Sequence, residues 1–227
     1  MKIDFKPYFE KYEAVVAMAD EVFERVQKEF PECVKCKIKC DDCCYALFDL
    51  TLIEAIYLNH QFNKIIKDKE RKRLIERSNR ADRKIHKIKR KAYTEKAAGK
   101  NEADILTDLA GERARCPLLN DEEMCDLYEH RPITCRLYGI PTSIGGVGHT
   151  CGKSGFVEGQ QYPTVNLDLI HKKLYDIATE FVLRIKSRHV KMADMLVPVS
   201  MAMLTDYDAD HLGIAAAKKD KEKRNGK

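Results

Sequence analysis

Five cysteines fall within twelve residues in "CVKCKIKCDDCC", from Cys33 to Cys44, and Cys43 and Cys44 are adjacent. Four more, Cys116, Cys125, Cys135 and Cys151, are spread over a later stretch. Thiols gathered this way serve disulfides, a metal or a reactive nucleophile. The total of nine is odd and cannot close into an all-disulfide framework within one chain. Adjacent cysteines also resist bridging to each other on geometric grounds. Thiolates are soft ligands that favour zinc, copper(I) and iron–sulfur clusters over hard cations.

Spacing separates the metals in part. Zinc knuckles use two Cys-x2-Cys pairs set a dozen or more residues apart. Here Cys33-x2-Cys36 and Cys40-x2-Cys43 are separated by three residues, a tight fit for two knuckles on one zinc. Close runs with two- and three-residue gaps are more like cluster-binding loops, to which a further ligand comes from elsewhere in the chain. Cys36-x3-Cys40-x2-Cys43 also has the spacing of radical S-adenosylmethionine enzymes. Against that reading, the chain lacks the alternating strand and helix pattern of their partial barrel, and Asp42 stands where an aromatic residue often precedes the last cysteine.

The elements that must hold these loops are helical. Tyr8, Tyr12, Val15, Val16, Ala19, Val22, Phe23, Val26 and Phe30 recur at steps of three and four, the apolar face of a helix that Pro31 ends. Thr51 to Glu54, "TLIE", has the form of a capping box opening a helix to about Asn63, with Leu52, Ile56, Tyr57 and His60 on its face. Residues 67–98 carry fourteen Lys/Arg against five Asp/Glu, whereas the whole chain carries +5. Leu74, Ala81 and Ile88, with Ser78, Ile85 and Ala92, draw a narrow stripe along this otherwise polar helix, and Gly99 caps it. Two readings stand for it: a basic surface for nucleic acid or an acidic partner, or a solvated helix packing one thin face. Leu167, Ile170, Leu174, Ala178, Phe181, Val182 and Ile185 mark another amphipathic helix, and "ADMLVPVSMAML" a buried one broken or begun near Pro198. The predicted fold class is mainly α: helices around a loop-built cysteine-rich metal site, with one long charged helix.

Three segments of this sequence, "CKIKCDDCC", "CPLLNDEEMCDLYEHRPITCRLYG" and "HTCGK", resemble the YkgJ-type cysteine-cluster proteins, described as zinc- or iron-chelating domains. The resemblance rests on Cys36-x3-Cys40-x2-Cys43-Cys44, on Cys116-Pro117, on Cys125, on Arg131-Pro132 ahead of Cys135-Arg136, and on Cys151 before Gly152. It covers roughly residues 33–155. The chain departs from the usual pattern at Asp41-Asp42, where small residues are common, and in the extra Cys33. The resemblance implies a metal site with Cys36, Cys40, Cys43, Cys44, Cys116, Cys125, Cys135 and Cys151 as ligands. A similar pattern in flagellin lysine methylases, where an iron–sulfur cluster is implied, brings in protein modification as a theme.

Neighbouring residues suit such a site. Arg131 and Arg136 could offset accumulated thiolate charge and donate hydrogen bonds, or could form surface ion pairs with Glu122, Glu123 or Glu129. Tyr128 and Tyr138 would shield it. "GGVGH", Gly145 to His149, reads as a mobile loop or as backbone amides brought toward a cluster; His149 and Cys33 are further candidate ligands. No general base, nucleophile or cofactor fingerprint is legible.

The expected organisation is an N-terminal helix over 1–32, a cysteine-cluster domain over 33–155 with the basic helix 67–98 inserted, C-terminal helices over 156–215 on the same body, and a disordered basic tail over 216–227. The longest apolar run, "AVVAMA", is far short of the roughly 20 residues of a membrane span. "MKIDFKPYFEKYE" carries charge throughout and no apolar h-region, which places the protein in the cytoplasm, where thiols stay reduced. The function so read is a cytoplasmic protein holding an iron–sulfur cluster, four-iron four-sulfur (4Fe-4S), with a protein or redox partner. The alternative is a zinc-stabilised module whose basic helix binds nucleic acid or an acidic partner.

Overall fold

The computed structural model describes residues 3–214. The predicted tail at 216–227 lies outside them. Seven α-helices and five short strands make up the described residues: α1 (Lys6–Glu29), β1 (Asp49–Thr51), α2 (Leu52–Ile65), α3 (Asp68–Ala97), α4 (Glu102–Gly111), α5 (Ile133–Leu137), β2 (Thr142–Ile144), β3 (Val147–His149), β4 (Val165–Asn166), α6 (Leu167–Arg184), β5 (Leu196–Pro198) and α7 (Val199–Leu204). The mainly helical expectation holds. Among the described residues no helix is long and apolar enough to cross a membrane.

At the centre lies α2. Its capping box forms as the sequence predicts: Thr51 N and Oγ1 both donate to Glu54 Oε2, at 3.0 and 2.9 Å. Residues Leu52 to Leu58 are all buried, so this helix is apolar nearly all round, which is the pattern of a fully enclosed helix. One side (Leu52, Ile53, Ile56, Tyr57) joins a cluster with α1, α5 and α6 around Tyr12, Ile133, Leu174 and Phe181. The other (Ala55, Leu58, Phe62) joins a second cluster with Leu74 of α3, Leu118, Leu127 and Met203 of α7. His60, expected on the inward face, is exposed instead, with its ring 5.1 Å from that of Phe9.

The basic helix α3 lies along α7 and α4; of the stripe read from the sequence it buries Leu74, Ser78 and Ile85, while Ala81, Ile88 and Ala92 are half-buried. Gly99 takes φ +89 just past its end, and its N–H caps the Lys96 carbonyl, as a helix stop requires. Several of its cations are committed to the body. Arg77 pairs with Asp126, Lys89 Nζ lies 2.7 Å from Asp49 Oδ1, and Lys84 Nζ donates to the Arg113 carbonyl at 2.6 Å. The helix thus grips the second cysteine-rich segment from outside. Ser78 is fully buried and its Oγ has no partner. Replacing that hydroxyl by hydrogen removes a desolvated group, so Ser78→Ala is expected to leave stability unchanged or raise it by up to about 1 kcal/mol in a urea melt.

Two small sheets tie the ends together. β1 pairs antiparallel with β5 in the register Leu50↔Val197, and β2 pairs antiparallel with β3 and parallel with β4. The "ADMLVPVSMAML" segment therefore supplies a strand up to Pro198 and a helix from Val199, so Pro198 begins the helix. The sequence reading missed α4, a ten-residue helix started by Asn101, whose side chain accepts the Ala103 N–H at 2.8 Å. The Gly145-Gly146 stretch is a hairpin turn between β2 and β3, with both glycines at positive φ, which is what a tight two-residue turn demands.

Candidate metal centre

A cavity of about 490 Å³ opens where the two apolar clusters meet α1 and α5, and its wall carries Cys36, Cys40, Cys43, Cys44, Cys116, Cys125, Cys135 and Cys151. These are the eight cysteines that the sequence reading grouped together. Cys43 and Cys44 sit on a turn of 3₁₀ helix, Asp42–Tyr45. The Cys116 N–H donates to the Cys44 carbonyl at 2.6 Å and the Ala114 N–H to the Tyr45 carbonyl at 3.0 Å, which joins the two cysteine segments by backbone. Cys125 returns over Cys116 through a small loop in which Asn120 Oδ1 accepts the N–H groups of Glu122 and Met124.

Cys135 is carried by α5, a helix of five residues that cannot stand alone. Its position is set from α2. The Ile133 N–H at the start of α5 donates to Glu54 Oε1 at 3.1 Å, so one buried carboxylate, 5% exposed, caps α2 with one oxygen and α5 with the other. Burial pushes the Glu54 carboxyl up, against the pull of the hydrogen bonds from Thr51 and Ile133. Arg136 adds a second tie, with its Nη1 at 2.6 Å from Asp20 of α1 and further donation to the carbonyls of Arg131 and Glu129. The ion pairs with Glu122, Glu123 or Glu129 carboxylates, one reading of the two arginines, do not form among the described residues; Arg136 reaches across to α1 instead. Arg131 lines the cavity with its guanidinium 3.7 Å from the Tyr128 ring centre and its Nε bonded to the Tyr128 carbonyl at 3.0 Å.

Burial raises most of these thiols, Cys116 to about 12 and Cys125 and Cys36 to about 11, while Arg131 pulls Cys125 and Cys36 the other way. Hydrogen bonds from Cys135 and Cys44 lower Cys43 and correspondingly raise those two donors. Without a cation the wall is thus mostly neutral thiol at neutral pH, and a bound metal would have to displace several protons.

The other candidates fall elsewhere. His149 is exposed on β3 and outside the cavity wall. Cys33 is buried outside it too, with its carbonyl accepting the Gly155 N–H at 2.8 Å. A Cβ at Gly155 would come within 3.1 Å of both the Cys33 Cα and the Glu32 carbonyl oxygen. Both are backbone atoms that must shift together, so Gly155→Ala is expected to cost about 1–3 kcal/mol in chemical denaturation. Tyr128 and Tyr138 do line the cavity.

Sequence reasoning missed several wall residues. Asp42 stood only as a departure from a pattern, yet its Oδ1 is 2.7 Å from Arg113 Nη2 and its Oδ2 3.4 Å from the Cys151 sulfur. Burial opposes ionisation of this carboxyl, but the bonds from Arg113 and Cys151 outweigh it and hold Asp42 below the usual carboxylate range. Asp20, Phe23 and Gln27 of α1 form another side of the cavity, at steps of three and four that read only as one more stretch of helix. Phe48, Leu118 and Val199 add apolar surface.

The match to a family model spans residues 32–152, more than half of the chain and all eight cavity cysteines. The chain belongs to the CxxCxxCC family. That family is described as "Putative zinc- or iron-chelating domain". No curated protein and no solved structure matched the chain. Within this CxxCxxCC domain, the ends of the match bracket Cys33 and Cys151, while α3 and α4 lie inside it as the connection between the two cysteine segments.

The thiols surround a volume more than a point. Among the described residues, no three side chains of His, Cys, Asp or Glu close on one position tightly enough for a single metal ion. A water molecule's share of liquid is about 30 Å³, so a cavity of about 490 Å³ has room for a group of many atoms. An all-sulfur donor set of that breadth fits a polynuclear, thiolate-ligated group.

Proposed function

We propose that this CxxCxxCC protein holds an iron–sulfur cluster between its two cysteine-rich segments and works as a cytoplasmic redox or protein-modification accessory. The observation that carries this reading is the cavity wall itself: eight thiols, from loops more than seventy residues apart, around a space too wide for one ion. Cys36, Cys40, Cys43, Cys44, Cys116, Cys125, Cys135 and Cys151 are the proposed ligand set. When bound, such a cluster supplies one-electron chemistry at a potential set by charge, hydrogen bonds and exposure.

The protein's own residues supply those controls. Arg131, free of a carboxylate partner among the described residues and stacked on Tyr128, offsets negative charge beside Cys43, Cys125 and Cys36. Phe48, Leu118 and Val199 place apolar surface on the wall, which lowers the local dielectric and strengthens that effect. Arg136 and Glu54 hold α5, and with it the Cys135 sulfur, in place. Protein isolated without oxygen is expected to be brown and to bleach on reduction. A colourless protein would overturn the cluster reading in favour of zinc. Cys33→Ala is expected to leave colour and metal content unchanged, because Cys33 lies outside the wall; loss of half the metal in that variant would bring Cys33 into the ligand set.

A further inference from the structure

We propose that the outward face of α3 is a binding surface for single-stranded nucleic acid, with its cations on the phosphates and Tyr93 against an unpaired base. This surface is separate from the metal centre and does not depend on what the cysteines bind.

The face follows from how the helix sits. Leu74, Ser78 and Ile85 turn α3 onto the body. At about 100° per residue, Lys69, Lys72, Arg80, Arg83, Lys87 and Arg90 then fall within an arc of about 80° on the opposite side. All six are exposed, and none has a carboxylate partner among the described residues. The ion pairs of α3 are made by Arg73, Arg77, Lys89, Lys91 and Lys96, which lie outside the arc. The arc runs about 31 Å from Lys69 to Arg90 and holds one acid, Glu76. Asp121 and Glu122 line a groove with Arg73 and Arg80, and Arg83, Lys87 and Arg90 continue past them. Glu95, beyond the far end, is held by Lys91 and Lys100.

Like charges three or four residues apart repel, so a run of cations weakens the helix that carries it, and a line of phosphates relieves that repulsion. The core of a protein–protein interface is apolar and poor in lysine, whereas nucleic-acid interfaces are polar and strongly positive. On α3 the one large apolar side chain left exposed is Tyr93, at 76%. Asn79, His86 and Tyr93, spaced by seven, form an exposed row beside Arg83 and Arg90. A free ring next to a line of cations offers a stacking platform to an unpaired base, while the bases of a duplex already stack on each other. The ring therefore favours a single strand over a duplex, and the lack of an apolar centre disfavours an acidic protein.

The test is fluorescence anisotropy of the full-length protein with a labelled oligouridylate of about 20 nucleotides. Binding is expected at about 50 mM salt, and about four phosphate contacts would make affinity fall about 50-fold by 200 mM. The triple variant Arg83→Glu, Lys87→Glu, Arg90→Glu is expected to bind at least tenfold more weakly, with a flatter salt dependence. Lys172→Glu, Lys173→Glu, Arg184→Glu makes the same charge change at exposed positions of α6 and is expected to stay within about threefold of wild type. Tyr93→Ala is expected to bind about fivefold more weakly with the salt dependence unchanged, a result that stands even if the charge reversal disturbs the fold. No binding at low salt, or equal weakening by the two triple variants, would overturn the surface. Tyr93→Ala binding like wild type would overturn the stacked base. Displacement of the label by polyglutamate more readily than by unlabelled oligouridylate would overturn the proposal in favour of an acidic protein, and by duplex DNA in favour of a paired strand.

Discussion

Removing the metal is expected to lower the melting temperature of this protein by about 10–20 °C while leaving most of its helical circular dichroism. The helical body has its own apolar support, since Tyr12, Ile53, Leu174 and Phe181 pack in one cluster and Leu58, Phe62 and Leu74 in the other. The loops that carry Cys36 to Cys44 and Cys116 to Cys125 have little of their own beyond Leu118 and Leu119. Metal affinity for thiolates appears as folding free energy, about 10–16 kcal/mol where a whole small domain depends on one structural zinc. Here only the loops depend on it, and about 5 kcal/mol is a fair share. In a domain of this size each kcal/mol moves the melting temperature by about 2–4 °C. Calorimetry before and after chelation under anaerobic reducing conditions measures the shift. An unchanged melting temperature would mean that the loops hold themselves together and that the cysteines do no structural work.

The second large effect comes from Glu54, which no cysteine pattern draws attention to. Glu54→Ala removes the acceptor for the Thr51 N–H and for the Ile133 N–H at once, and both donors are buried. A buried donor left unpaired costs about 1–3 kcal/mol, so the variant is expected to lose about 3–5 kcal/mol, or about 6–20 °C. Because Ile133 begins the helix of Cys135, metal content is expected to fall with it. Glu54→Gln keeps one acceptor oxygen and puts an amide N–H₂ against the other donor, so it is expected to fall between wild type and alanine. Thermal melts paired with metal analysis of the two variants check this. A stable Glu54→Ala protein with full metal would show that α5 is held by packing alone.

The grouping of the eight thiols was legible in the sequence because cysteines are few and the soft chemistry of thiolates is specific. The helices α1 and α6 were legible through their periodic apolar faces, and the start of α2 through its capping box. What was hidden depends on tertiary contact. Glu54 reads locally as a cap, and its second bond to Ile133 joins residues 79 positions apart. Asp42 reads as an exception until Arg113 and Cys151 are seen on its two oxygens. The α1 residues of the cavity wall lie on a helix whose pattern reports only that one side is apolar. The charge of α3 was plain, but its use by Asp49, Asp126 and the Arg113 carbonyl was not, since opposite charges far apart in sequence carry no local signal. Short elements such as α4 and the strand of Leu196–Pro198 fall below the length at which periodicity separates helix, strand and loop.

The central claim is that eight cysteines, brought from two distant segments to one cavity, bind iron and sulfide. Iron, zinc and acid-labile sulfide content per chain, determined on protein isolated anaerobically and never reconstituted, tests it most directly. The account predicts iron and sulfide in equal amounts, both lost in a Cys116→Ser, Cys135→Ser variant. Stoichiometric zinc with no sulfide would contradict it.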